Sequence, residues 1–128
     1  MVSQISKGVK ICVEVFFQSD YSNPINHEFM FAYRITIENN NNFEIQLLRR
    51  HWYILDSSGE QKEVEGEGVV GQQPIIEPGS THEYVSGCNL KTDIGSMKGE
   101  YQMSRLLDNA TFNVKIPEFY LVASYRMN

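Results

Sequence analysis

The chain has 128 residues, 41% of them hydrophobic and 21% charged, which suits one globular domain that buries roughly two-thirds of its unfolded surface and excludes a disordered chain. Sixteen acidic against eleven basic side chains give a formal charge of −5, so the net field repels phosphate backbones and nucleic acid is not an expected partner. No apolar run approaches the ~20 residues that span a bilayer and the first residues lack the apolar core of a secretion signal, so no membrane partner and a cytoplasmic location are expected.

Cys12 and Cys88 are too few for a disulfide framework and lack the spacing of a zinc or redox site; both are expected as reduced thiols. A period of two dominates the chain. In residues 5–17, Val9, Ile11, Val13, Val15 and Phe17 alternate with Lys10, Cys12, Glu14 and Phe16, the pattern of one half-buried strand. Residues 20–27 read as a loop with a turn at Asn23-Pro24. In residues 29–38, Phe29, Phe31, Tyr33, Ile35 and Ile37 line one face of a second strand. Asn39, Asn40, Asn41 and Asn42 follow, and because asparagine tolerates left-handed backbone they predict a hairpin between the second and third strands.

The third strand, residues 43–56, changes the parity of its apolar residues near Leu47-Leu48, which predicts a bulge there. Ser57-Ser58-Gly59 turns the chain into a short acidic strand, residues 60–64, expected at a sheet edge. Pro74 and Pro78-Gly79 bracket residues 75–77 and leave room for a short edge segment at most. Residues 82–90 form the next strand, Gly95 and Gly99 are expected to break the chain around Met97, and residues 100–105 resume in extended form. Asp108-Asn109 gives a turn; residues 111–116 and 119–125 are the last strands, with Pro117 at their junction. No window has a period of 3.6. About seven or eight short antiparallel strands separated by turns predict an all-β sandwich, one domain over residues 1–128.

The stretch with the greatest chemical potential is Glu65-Gly66-Glu67-Gly68-Val69-Val70-Gly71-Gln72-Gln73-Pro74. Gly66, Gly68 and Gly71 have the GxGxxG spacing of a dinucleotide loop, but that motif needs a following helix to set its N-terminus against pyrophosphate, and Pro74 and Pro78 exclude the helix. A nest of backbone N–H groups could still hold phosphate, with Arg49 and Arg50 offsetting Glu65 and Glu67; the plainer reading is a structural turn. Glu63, Glu65 and Glu67 share a strand face, where they could share a hard cation or keep an edge strand soluble. His27, His51 and His82 form no metal-binding pair. Cys88 and His82 lie about 20 Å apart along one strand, too far to be a nucleophile and its base, and no nucleophile elbow surrounds Ser86. Trp52 reads as core. Tyr84 and Tyr101, with Gly87, Gly95 and Gly99, could shape an exposed binding surface.

The central stretch resembles the ApaG family, also called CorD in some bacteria. The matching residues are Arg50-His51-Trp52, Asp56, Gly59, Glu63-Val64, Gly66 through Pro74, Pro78-Gly79, Tyr84, Ser86-Gly87, Leu90, Thr92, Gly95-Ser96-Met97-Lys98-Gly99 and Tyr101-Gln102-Met103. The resemblance implies an immunoglobulin-like or fibronectin type III-like sandwich, a loose association with cobalt resistance, magnesium efflux and diadenosine tetraphosphate metabolism, and, from similar eukaryotic domains beside interaction modules, protein binding. It implies no enzyme activity and no cofactor, and a shared fold does not supply one.

Two functions follow as expectations. The first is a non-catalytic module that binds an unidentified protein partner, or forms a homodimer with a second copy of itself through an edge strand. The second is a module that binds pyrophosphate or a dinucleoside polyphosphate, with or without a divalent cation, at Arg49, Arg50, Gly66, Gly68, Gly71 and Gln72. Hydrolysis of such a ligand is a third, weaker idea.

Overall fold

Alternating apolar residues build strands with one face buried, and two such faces pack against each other. The computed structural model describes residues 1–126, in which β1 (Val2–Ser6), β2 (Val9–Phe17), β3 (Phe29–Asn39), β4 (Ile45–Asp56), β5 (Gln61–Glu67), β6 (Ile75–Ile76), β7 (Thr81–Leu90), β8 (Ile94–Arg105) and β9 (Ala110–Val122) follow in chain order. One sheet has the order β1-β2-β3-β7 and the other β5-β4-β8-β9, with β6 paired to the start of β4; all pairings are antiparallel. This is the expected immunoglobulin-like sandwich. No helix among the described residues is long and apolar enough to cross a membrane.

The core lies where β3 faces β4 and β8. Phe31, Ile35 and Ile37 are fully buried, as are Tyr101 and Met103 opposite them. Trp52, 3% exposed, sits at the centre, with ring contacts to Tyr33 at 5.5 Å, Phe119 at 5.9 Å and Tyr101 at 6.5 Å. These edge-on pairs add about 0.5–1.5 kcal/mol each beyond the area they bury, and they join the two sheets through one side chain.

Several local expectations are corrected. Residues 5–17 are not one strand, because Lys7 and Gly8 both take positive φ (52° and 74°) and fold β1 back on β2 through a two-residue turn whose backbone twist suits a hairpin. The asparagine run makes no hairpin, and β3 and β4 lie in different sheets. Its first member is fully buried: Asn39 Nδ2 donates to the carbonyls of Phe43 and Ile76, both at 2.9 Å, and its Oδ1 accepts from Asn41 N at 3.0 Å. The side chain thus satisfies backbone groups that a sheet-to-sheet crossover would leave bare.

Gly95 and Gly99 do not break the chain. Both lie inside β8, which needs them because its neighbour runs so close. A Cβ on Gly99 would stand 2.2 Å from His51 O, and one on Gly95 would stand 2.7 Å from Leu55 O. Pro117 lies within β9, an edge strand, beside the register shift between Met97 and Gly99 where no ladder donor is required. The bulge expected at Leu47-Leu48 is present as the register shift between Leu47 and Arg49, and β5 is at a sheet edge as expected.

The two strand glycines Gly99 and Gly87 therefore predict opposite outcomes. Gly99→Ala meets backbone that cannot move aside and is expected to cost about 3 kcal/mol or more. Gly87→Ala, whose Cβ would stand 3.4 Å from Phe31 O, is expected to change stability by less than about 0.5 kcal/mol. Urea unfolding of the two variants checks the contrast; equal losses would contradict it.

Candidate functional site

A sandwich of two open sheets has two lateral seams, and this one closes only the first. Along the β1/β9 seam, Lys115 N donates to Ser6 Oγ at 3.0 Å. Along the other, β7 and β5 are the terminal strands of their sheets, and among the described residues no hydrogen bond joins them. They stand on either side of a cleft of about 780 Å³ whose floor includes Tyr33, Trp52 and Met97. An ion pair from Lys91 to Glu60, 3.5 Å long, spans one end; the glycine-rich segment covers the other.

That segment is a hairpin. Val69 N donates to Gln72 O at 2.8 Å and Gln72 N to Val69 O at 3.0 Å, so Val70 and Gly71 are the two turn residues, with φ of 48° and 75°. Each glycine of the motif answers a different demand. Gly71 supplies the second left-handed position of the turn, where a Cβ would meet nothing within 4 Å. Gly68 also has positive φ, and a Cβ there would stand 2.1 Å from Gln72 O. Gly66 makes room for a side chain, since its Cβ would lie 2.9 Å from the guanidinium of Arg50.

Arg50 lies opposite Gly66 in the β4/β5 register. Its Nη1 donates to Glu67 O at 2.9 Å and Gly68 O at 3.0 Å, holding the guanidinium flat at the cleft mouth. Arg49 is exposed and belongs to the opposite face of β4, because consecutive strand residues point to opposite faces. Of the predicted residues, Arg50 and Gly71 line the cleft; Gly66, Gly68 and Gln72 shape its rim.

The same alternation sorts charge on β5. Lys62, Val64 and Gly66 share the face of Ile54, Trp52 and Arg50; Glu63, Glu65 and Glu67 share the outer face with Tyr53, His51 and Arg49. There His51 Nε2 lies 3.3 Å from Glu63 and Nδ1 2.8 Å from Glu65, and its ring stacks on Tyr53 at 4.4 Å. Those glutamates thus have a histidine for a neighbour, and among the described residues no group of three or more His, Cys, Asp or Glu is placed to hold a metal. The carboxylate partners of His51 are not its neighbours in sequence and come from the strand register that sets Glu65 opposite it and Glu63 two residues along.

Tyr84 and Tyr101 are not an exposed surface. Tyr101 is completely buried, and its hydroxyl bonds that of half-buried Tyr84 behind the cleft wall. Burial raises the pKa of both phenols and, less strongly, of Tyr33; the nearby positive charge of Arg50 opposes the rise in all three. Burial also pushes the Cys88 thiol up to about 11. At neutral pH the hydroxyl and thiol groups around the cleft are therefore protonated.

Val70 departs from the turn chemistry. A β-branched residue at φ 48° is costly, asparagine or glycine being the ordinary choice at that position, and its side chain is 65% exposed.

Two predictions follow from this geometry. Thermal or urea unfolding should rank the hairpin variants: Gly68→Ala losing ~2 kcal/mol or more because strain and a backbone clash combine, Gly71→Ala losing about 1 kcal/mol from strain alone, and Val70→Asn gaining about 1 kcal/mol. A stabilised Gly68→Ala or a destabilised Val70→Asn would contradict the assignment. The pH profile has a definite sign. A group whose folded pKa lies above its unfolded value contributes fully below the unfolded value and loses that contribution as pH rises. Cys88, raised from its ordinary 9.0 to about 11, should make stability decline between those values, and Cys88→Ala should flatten that part of the urea-midpoint profile; an unchanged slope would refute it.

A family model of the ApaG domain matches residues 19–105. The chain is 42% identical over 121 residues to "Protein ApaG" of Brucella suis, covering 94% of this chain and 92% of that one, and 43% identical over 121 residues, with the same coverage, to "Protein ApaG" of Paramagnetospirillum magneticum. Among solved structures, that of a Bordetella pertussis protein described as ApaA superposes with a TM-score of 0.87 at 39% identity, over 91% of this chain and 94% of that one. The glycine hairpin, Arg50 and most of the cleft fall within the matched domain, and the chain belongs to the ApaG family.

Proposed function

We propose that the protein is a non-catalytic binding module that takes an extended segment of a partner protein as an added strand along the free edge of β7. The observation that carries this reading is the edge itself. β7 pairs with β3 through all ten of its residues without a register shift, and among the described residues its other side has no partner strand. Proteins blunt such edges with charged residues, prolines, bulges or shortness, yet the ten residues of β7 contain no lysine or proline, and their one acidic residue, Glu83, pairs with Arg34 of β3. By contrast β5 has Lys62, Glu63, Glu65 and Glu67, β9 has Pro117, and β1 is five residues long. An exposed, regular edge beside a cleft is how sheet proteins receive peptides: backbone hydrogen bonds supply affinity and alternate side chains enter pockets.

Two further observations support the reading. Val64 on β5 and Val70 on the hairpin, 40% and 65% exposed, line the cleft mouth and give it an apolar rim, and Val85, 56% exposed, stands on the outer face of the β7 edge opposite Arg34. The phenols and thiol around the cleft, protonated at neutral pH, supply no nucleophile to attack a ligand. On this reading any link to cobalt or magnesium handling is indirect and passes through the partner.

The small-anion reading keeps one observation in its favour: Arg50 has no carboxylate within ion-pair distance among the described residues. Peptides selected from a displayed random library, followed by amide hydrogen exchange on the complex, separate the two. Strand addition is expected to slow the β7 amides that point away from β3 and to be lost in Val85→Lys, which leaves the exposed site soluble. Selected peptides that bind without slowing β7, or inorganic pyrophosphate saturating the hairpin amides while no peptide binds, would overturn the proposal. Concentration-dependent sedimentation that protects the same amides without peptide would replace the partner with a second copy.

A further inference from the structure

We infer that the segment received by the cleft is acidic, with one carboxylate seated on Arg50 and a second, four residues along, on Lys62. The inference rests on the binding-module reading and names the partner's chemistry.

Charge is distributed unevenly about β5. The chain is acidic overall, with formal charge −5, yet the face of β5 turned to the cleft has Lys62 and looks across at Arg50, while Glu63, Glu65 and Glu67 all leave on the outer face. Neither Arg50 nor Lys62 has a carboxylate within ion-pair distance among the described residues. Glu67 contributes to the cleft lining, but the group it turns toward Arg50 is its backbone carbonyl.

Arg50 is also held ready. Two carbonyls fix Nη1, and Gly66 removes the side chain that would otherwise cover the guanidinium. Nη2 and Nε donate to no protein acceptor among the described residues, which leaves two donors in the planar geometry that a carboxylate accepts. A cation whose position is set before binding loses little entropy when its partner arrives.

The spacing follows from the register. Arg50 stands opposite Gly66 and Ile54 opposite Lys62, so the two cations are four strand residues apart, about 13 Å at 3.3 Å per residue. On an extended peptide, residues i, i+2 and i+4 face one way. Acids at i and i+4 therefore reach both cations, and the residue at i+2 meets Val64, which calls for an apolar side chain. Val70, strained and exposed at the mouth beside Arg50, supplies a second apolar contact at the end of the segment.

The same displayed library tests this when it is selected on the intact protein. The expected consensus has Asp or Glu at i and i+4 around an apolar i+2. In anisotropy titrations, replacing either acid by its amide should weaken the selected peptide about tenfold, moving the second acid to i+3 should do the same, and the dependence on the i+4 acid should vanish in Lys62→Gln. Lys62 is exposed and makes no bond to the hairpin, so this variant separates the electrostatic claim from any loosening of the loop; Arg50→Lys serves as the paired check on the first acid. Selected peptides that lack acids, or whose affinity is indifferent to the amide replacements while β7 exchange still slows, would overturn the inference and leave the strand-addition reading standing. No peptide binding, with or without pyrophosphate binding at Arg50, would overturn both.

Discussion

Two pleated sheets that pack face to face must dispose of four terminal strands, and the chemistry of this protein depends on how unequally it does so. β1 and β9 are short or interrupted by proline and come together across a hydrogen bond from Lys115 to Ser6. β5 and β7 are held apart by the bulk of what lies between them: Trp52 and its aromatic neighbours fill the centre of the sandwich, and Tyr33, Tyr84 and Tyr101 fill the space toward the seam. Those rings prop the seam open at the level where the hairpin and Arg50 sit.

The glycine-rich segment shows how one motif can satisfy unrelated demands within a few residues. Gly68 and Gly71 serve the backbone, one at a crowded left-handed position and the other at a roomy one, whereas Gly66 serves Arg50 by having no side chain. The hairpin uses the N–H groups of Val69 and Gln72 in its own closure, and Gly68 N donates to Leu48 O of β4. A dinucleotide loop, by contrast, keeps its donors for a ligand and adds the dipole of a helix. The spacing of glycines is shared; the disposition of donors is not. Val70 is the exception to local consistency, and local rules fail most often where a surface is kept for binding.

What was legible in the chain depended on whether the signal was local. Strand faces were read from alternation, and the bulge in β4 from a change of parity at Leu47-Leu48, because a pleated strand exposes its period directly. The asparagine run misled because asparagine has two uses: it tolerates turns, and it hydrogen-bonds backbone. Burial of Asn39 beneath β6 selects the second. Gly95 and Gly99 read as breaks because a strand interior that needs glycine is distinguished only by how near the next strand comes. Arg50 over Gly66, and His51 between Glu63 and Glu65, were not legible at all. Each pair is made by cross-strand register, which a linear reading supplies only after the hairpin and its bulge are placed.

The electrostatic asymmetry of β5 has the same origin in parity. Alternating glutamates protect an edge strand from association on the face where they project, and the intervening residues must then be something else. Here they are a lysine, a valine and a glycine, so negative design on the outer face leaves the inner face positive by default, and Arg50 completes it. An edge that repels other copies of an acidic protein and a cleft that attracts a carboxylate are thereby written into the same seven residues. Shifting β5 by one residue against β4 would exchange the faces, bring Glu65 opposite Arg50, and neutralise the cleft; the Arg50 bonds to the carbonyls of Glu67 and Gly68 oppose that slip. The arginine that would hold a ligand also holds the register that leaves it unpaired.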